Sequence, residues 1–270
     1  MKLAISGKGG VGKTTLAAAL ARAFAHSGRV VIAIDADPAA HLGAALGFPD
    51  ADRITPIAQM KELIAERTGA SPDAVGQIFR LNPTVADLPE KLWREHDGVR
   101  LLVMGGMKGG GRGCACPQNA LLRALLMHLV LQRDEIVVAD MEAGVEHLGR
   151  GTVAGVDALI IVVEPGRYSI QTGKEISRLA GELGLRRIWA VGNKVRDTAQ
   201  ENFLRRELAD LPLLGTIPYD DEITCADTDG VPAVERSAAL RAAVREICSR
   251  LAAASSLPPD VARASAQKKG

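Results

Sequence analysis

The chain has 270 residues, 47% apolar and 24% charged, with a formal net charge of +1. That apolar share fills the core of one large α/β domain, while near-neutral charge and only eight aromatic residues (two Trp, two Tyr, four Phe) argue against a nucleic-acid surface. No apolar run reaches the roughly 18 to 20 residues of a membrane span. Met1-Lys2-Leu3 enters a strand with no room for a cleaved leader, and four cysteines without a secretion signal fit a reducing, cytoplasmic setting.

The first predicted elements are a strand, Leu3 to Ile5, and a helix, Leu16 to Ala25, joined by Gly7-Lys8-Gly9-Gly10-Val11-Gly12-Lys13-Thr14-Thr15. This spacing at a strand-to-helix junction is a phosphate loop. Backbone N–H groups of Gly9, Gly10, Val11, Gly12 and Thr15 turn around phosphate oxygens, and the new helix directs its positive end at the same anion. Lys13 is predicted to reach the β- and γ-phosphates of ATP, or the β-phosphate of ADP, and Thr14 to place its hydroxyl on Mg²⁺. An ordinary phosphate loop has no use for a second lysine. Lys8 sits at the mouth of the loop, from which it can reach a nucleotide held by another subunit.

The second strand, Val30 to Ile34, runs into Asp35-Ala36-Asp37-Pro38, two carboxylates expected to divide labour at the sheet edge where the phosphates lie. Residues 48 to 97 carry short helical patterns such as Ile57 to Arg67, broken by prolines, and read as an insertion within the domain. Strands follow at Arg100 to Met104, Glu135 to Ala139, Ala158 to Val163, Arg187 to Val191 and Leu213 to Ile217. Helices are predicted at Gln118 to Leu131, Ser169 to Leu183, Ala199 to Leu208 and Ala233 to Ala253. The alternation predicts a mostly parallel, doubly wound α/β sheet in one domain, residues 1–254, with ligands at the strand C-terminal ends. Residues 255–270, with Pro258, Pro259 and Lys268-Lys269-Gly270, read as a disordered tail.

Asp140 ends a buried strand and opens Asp140-Met141-Glu142-Ala143-Gly144. A strand-end aspartate in this pattern holds Mg²⁺ directly or through water, and Gly144 lets a backbone N–H approach the γ-phosphate. The segment Met104 to Pro117 contains six glycines in fourteen positions and is predicted to be a loop, ending in Cys114-Ala115-Cys116-Pro117. A Cys-x-Cys pair is an awkward disulfide but a good bidentate soft donor. Pro117 suits a first helical turn, which places Cys116 at a helix N-terminus that favours its thiolate. Two thiolates make half a site; a two-fold axis supplies the other two and completes a set of four for Zn²⁺ or another soft cation. Cys225 and Cys248 read as incidental.

The sequence GKGGVGKTT resembles the deviant phosphate loop of the MinD, ParA and nitrogenase iron protein superfamily, the SIMIBI/MinD-like P-loop NTPases. The resemblance implies a homodimer face to face around two ATP molecules, with Lys8 acting in trans. It implies that Asp37 orients the attacking water, that Asp35 lies nearer the Mg²⁺ hydration shell, and that Asn193 and the loop at Pro218 lie on the adenine side. The glycine-rich Cys-x-Cys loop, Asp140 to Arg150 and Glu164-Pro165 are together similar to the carbon monoxide dehydrogenase maturation ATPases, the CooC type. That likeness implies ATP-dependent delivery of Ni²⁺ to a client nickel enzyme, carbon monoxide dehydrogenase, with Lys8, Lys13 and Asp37 catalytic and Cys114 and Cys116 holding the metal at the dimer interface. Met141 departs from the group, where a small polar residue is common.

Three other readings are weighed. A maturation factor for acetyl-CoA synthase would share these motifs. A ParA- or MinD-like positioning ATPase would need a DNA or membrane surface, which the core-like apolar spacing of Ala233 to Ala253 does not offer. An iron–sulfur electron-transfer protein would draw two cysteines from each chain, yet Cys114 and Cys116 stand one residue apart, unlike the widely separated ligands of the nitrogenase iron protein.

Overall fold

The computed structural model describes residues 1–70, 77–106, 116–131, 133–142 and 155–255. Cys114, Gly144 and the tail after residue 255 lie outside them.

Eight strands form one sheet: β1 (Lys2–Gly7), β2 (Val31–Ala36), β3 (Arg94–His96), β4 (Val99–Val103), β5 (Ile136–Met141), β6 (Ala158–Val163), β7 (Ile188–Val195) and β8 (Leu213–Pro218). Their spatial order is β3-β4-β2-β5-β1-β6-β7-β8, parallel throughout except for β3, which pairs antiparallel with β4. The doubly wound sheet is as expected, and the added edge strand is a hairpin turned by Asp97-Gly98, both at positive φ. Three residues were too short a run to stand out among the surrounding prolines.

Successive strand residues face opposite layers because the side-chain period of a strand is two. Ile32, Ile34, Leu159 and Ile161 pack with the helices α3 (Lys61–Thr68), α5 (Pro117–Leu131), α6 (Arg167–Glu182) and α7 (Thr198–Glu207). Val31, Ala33, Ile160 and Val162 pack on the other face with α1 (Lys13–His26), α2 (Leu42–Leu46) and α10 (Ala238–Ser255). Among the described residues the remaining α-helices are α4 (Leu88–Leu92), α8 (Asp221–Thr228) and α9 (Ala233–Arg236). No described helix is long and apolar enough to cross a membrane.

One helical expectation needs correction. The stretch Ala233 to Ala253 is broken at Ser237, whose hydroxyl accepts from the Leu240 N–H at 2.9 Å and so starts α10 as a new helix. The polar run Asp221 to Asp229 is helical because Asp220 accepts from the Glu222 N–H at 3.0 Å. Both caps are anchored to one another, the Ser237 hydroxyl donating to Asp220 Oδ2 at 2.6 Å.

Candidate functional site

The order of strands puts the C-terminal ends of β1, β2 and β5 side by side, with Asp35 in register with Asp140 and Asp140 in register with Ile5. The phosphate loop leaves β1 there and closes into α1 at Gly12, which takes a left-handed φ of +93°. A side chain at Gly12 would be strained in that conformation and would collide with Asn193 Nδ2. The loop is braced from β7. Asn193 donates through Nδ2 to the Val11 carbonyl at 2.8 Å, and Lys194 donates through Nζ to the Gly10 carbonyl at 3.0 Å. Lys194 is held at φ +58° and is ion-paired to Glu164 at 2.6 Å. Asn193 thus supports the loop, with its own Oδ1 accepting from the Lys194 N–H. The bracing role of Lys194 gave no signal in the sequence, since it depends on a backbone carbonyl 184 residues away.

An open cleft of about 740 Å³ runs from this loop across α1 to α8 and α9. Gly9, Gly10, Gly12, Lys13, Thr14, Thr15 and Asp37 line its phosphate end, and Asn193, Pro218 and Tyr219 lie farther along. Lys13 is buried at the floor of the cleft. The far end, from Asp220 to Val234, was not anticipated, because it depends on α8 being helical.

Thr14 and Asp140 meet beneath the phosphate loop, the hydroxyl donating to Asp140 Oδ2 at 2.6 Å. Asp140 Oδ1 is buried with no hydrogen-bond partner among the described residues. Burial pushes the Asp140 carboxyl up to about 7; the Thr14 hydroxyl opposes the rise and the neighbouring Asp35 adds to it. A buried carboxylate oxygen left bare beside a threonine hydroxyl is the donor set a hard divalent cation takes, so the residues fit Mg²⁺.

Asp35 and Asp37 stand in different surroundings. Residues two apart share a face on a regular strand, and the two part only because β2 ends at Ala36. Asp35 is fully buried, accepting from the Leu42 N–H at 2.8 Å and the Asp37 N–H at 3.2 Å. Burial lifts its carboxyl to about 6 despite those donors. It therefore anchors the turn that carries Asp37 to the cleft, where Asp37 is half-buried and accepts from the Ala39 N–H at 2.9 Å. Lys8 is exposed, its Nζ standing 6.0 Å from the centre of the exposed Tyr168 ring.

Cys116 precedes α5 as its proline suggested. Its sulfur accepts from the Asn119 N–H at 3.4 Å, in the first turn of the helix. Cys248 is packed against the core, and burial pushes its thiol up to about 11, which disfavours the thiolate; Cys225 is exposed on α8. Among the described residues, no three His, Cys, Asp or Glu side chains gather into a metal set.

Comparison with known proteins agrees with this geometry. Residues 2–233 match the CobQ/CobB/MinD/ParA nucleotide binding domain. The chain is 46% identical to the carbon monoxide dehydrogenase accessory protein CooC of Rhodospirillum rubrum, over 89% of this chain and 92% of that protein. It is 45% identical to an uncharacterized ATP-binding protein of Methanocaldococcus jannaschii, over 86% and 90%. The MinC:MinD cell division complex of Aquifex aeolicus shares the fold, with a TM-score of 0.66 at 22% identity over 95% of this chain and 97% of that one. So does a putative plasmid partition protein of Borrelia burgdorferi bound to AMPPNP, with a TM-score of 0.65 at 16% identity over 92% and 96%. The chain therefore belongs to the CobQ/CobB/MinD/ParA family of P-loop nucleotide-binding domains, among the relatives of the carbon monoxide dehydrogenase accessory protein.

Proposed function

We propose that this protein is a Mg²⁺-dependent ATPase of the cytoplasm that dimerises around ATP and assists metal insertion into a nickel enzyme, carbon monoxide dehydrogenase. The observation that carries the reading is the conjunction, in one chain, of a preformed phosphate cradle with a thiol at the N-terminus of α5, in a protein 46% identical to an accessory protein of that dehydrogenase.

The chain's own residues divide the work. Lys13, buried beneath the cleft, neutralises phosphate charge, and the N–H groups of the loop orient the triphosphate. Thr14 and Asp140 would hold Mg²⁺, which when bound neutralises charge on the phosphate oxygens. Asp35 fixes the turn so that Asp37 faces the cleft, and Asp37 orients the attacking water and takes its proton at the carboxylate. Lys8 reaches the nucleotide of a second copy. Cys114 and Cys116 of two copies together bind one Ni²⁺ or Zn²⁺ ion as cargo.

Light scattering with a non-hydrolysable ATP analogue tests the dimer. The parent should form a dimer with the analogue, while Lys8→Ala should bind nucleotide and stay monomeric. A Lys8→Ala protein that dimerises like the parent counts against a role in trans.

A further inference from the structure

The stretch after β4 is bound to the Asp35–Pro38 turn more tightly than a loop needs to be. The N–H groups of Met104 and Gly105 both donate to the Asp35 carbonyl, at 2.8 and 3.3 Å. Gly106 then lies flush against the Pro38 ring. A methyl group on Gly106 would overlap the Pro38 Cγ, with Cβ and Cδ of the ring at 2.9 and 3.0 Å. A proline ring cannot swing aside as a flexible side chain can, so the added atom must displace the backbone of one turn or the other. The φ of Gly106 is not in the left-handed region, which leaves this close approach, and not backbone strain, as the reason for glycine. On its far side the Gly106 carbonyl accepts from Gln118 Nε2 at 3.5 Å, and Gln118 lies in the first turn of α5, two residues after Cys116.

We propose that Gly106 is a positioning residue that joins Asp37 to Cys116. Its contact with Pro38 sets where the Asp37 carboxylate stands, and its contact with Gln118 carries the same displacement to the N-terminal turn of α5. The metal half of this statement rests on the function proposed above; the half concerning Asp37 requires only that the chain hydrolyse ATP. A shift of about 1 Å in a water-orienting carboxylate lowers turnover on the order of 100-fold without touching the phosphate cradle. Reciprocity requires that a ligand on Cys116 and a nucleotide that moves Asp37 alter one another's affinity by one factor.

The test uses the full chain as parent, Gly106→Ala, and Gly106→Ala combined with Pro38→Ala, which deletes the ring Cγ and Cδ and leaves only the Cβ contact at 2.9 Å. Steady-state MgATP turnover, ATP affinity and Zn²⁺ affinity with and without an ATP analogue are measured on each, with circular dichroism confirming the fold. In Gly106→Ala, turnover should fall on the order of 10- to 100-fold, ATP affinity should stay within about threefold, and the analogue should no longer change Zn²⁺ affinity. The double variant should recover part of both losses. Normal turnover and normal coupling in folded Gly106→Ala, or losses that Pro38→Ala does not relieve, overturn the proposal. A parent that hydrolyses ATP but takes up no Zn²⁺ removes the metal reading, and the turnover and rescue arms then decide the role of Gly106.

Discussion

The two ends of the nucleotide cleft are built on different principles. The phosphate end is fixed by bonds between residues far apart in the chain: Thr14 to Asp140, Val11 to Asn193 and Gly10 to Lys194, spanning 126 to 184 residues. Each involves a buried atom or the backbone of the loop itself, so the cradle exists before any ligand arrives. The far end has one long tie, Arg22 of α1 to Glu235 of α9 at 2.8 Å, and is otherwise held by neighbours. Asp220 caps α8 and binds Ser237, and Arg236 on α9 reaches Glu222 and Asp229 of the same stretch, in exposed ion pairs. Local, solvated contacts of this kind are individually weak and open at low cost. The difference teaches that the phosphate end is fixed across the whole fold, whereas the far wall rests mainly on local contacts with the Arg22–Glu235 pair as its tie to α1.

The strongest way to break this picture is at Lys13. Lys13→Ala should reduce ATP affinity by at least about 100-fold, since the other lysine that lines the cleft, Lys194, is engaged by the Gly10 carbonyl and Glu164. Isothermal titration with ATP reads the effect, and unchanged affinity sinks the phosphate-loop assignment. Next comes the brace. Asn193→Ala leaves the buried Val11 carbonyl without its donor, which should cost about 1–3 kcal/mol of stability and weaken ATP binding about tenfold, measured by denaturant unfolding and by titration.

Protons sharpen the same comparison, because both lifted carboxyls are at the phosphate end. The folded chain holds the proton of Asp140 up to about pH 7 and that of Asp35 up to about pH 6, well above their value of 3.8 in the unfolded chain. The folded state therefore binds more protons than the unfolded one between those limits. This contribution to ligand-free stability is most favourable below about pH 4, declines as pH rises, and reaches its full penalty above about pH 7. Asp140→Asn should remove the steepest part of the decline, raising ligand-free stability at pH 8 by on the order of 2–4 kcal/mol, while abolishing the gain that Mg²⁺ gives with ADP. Thermal unfolding at pH 5.5 and pH 8 reads both effects. A variant that is less stable than the parent at pH 8 contradicts the assignment of a bare, strained carboxylate. The smallest effect is expected at the far end: Arg236→Ala should leave ATP affinity within about threefold of the parent, as its ion pairs are solvent-exposed.

The legibility of the sequence follows the same division. The phosphate loop, Asp35, Asp37 and Asp140 could be read because each obeys a fixed spacing at the end of an apolar strand, and the parallel sheet follows from runs such as Ala158 to Val163. Lys194 as a brace, Gly106 against Pro38, and the antiparallel β3 could not, because each depends on which distant segment arrives next to it. The break at Ser237 and the start of α8 at Asp220 were present as capping signals, a serine and an aspartate just ahead of apolar residues at helical spacing. They were outweighed by the longer periodic run on one side and the polar composition on the other. Cys116 occupied the intermediate case. Its proline placed it at a helix start, while its partner thiol Cys114 lies outside the described residues.

The central claim is that one chain couples nucleotide to a thiolate-held metal, and the most direct measurement is metal stoichiometry by equilibrium dialysis. Zn²⁺ and Ni²⁺ are titrated separately into the parent and Cys116→Ala, without nucleotide, with ADP and with a non-hydrolysable ATP analogue. The account predicts one ion for every two chains, lost in Cys116→Ala, with an affinity that differs between ADP and the analogue. One independent ion per chain, or affinities identical in all three nucleotide states, would contradict it.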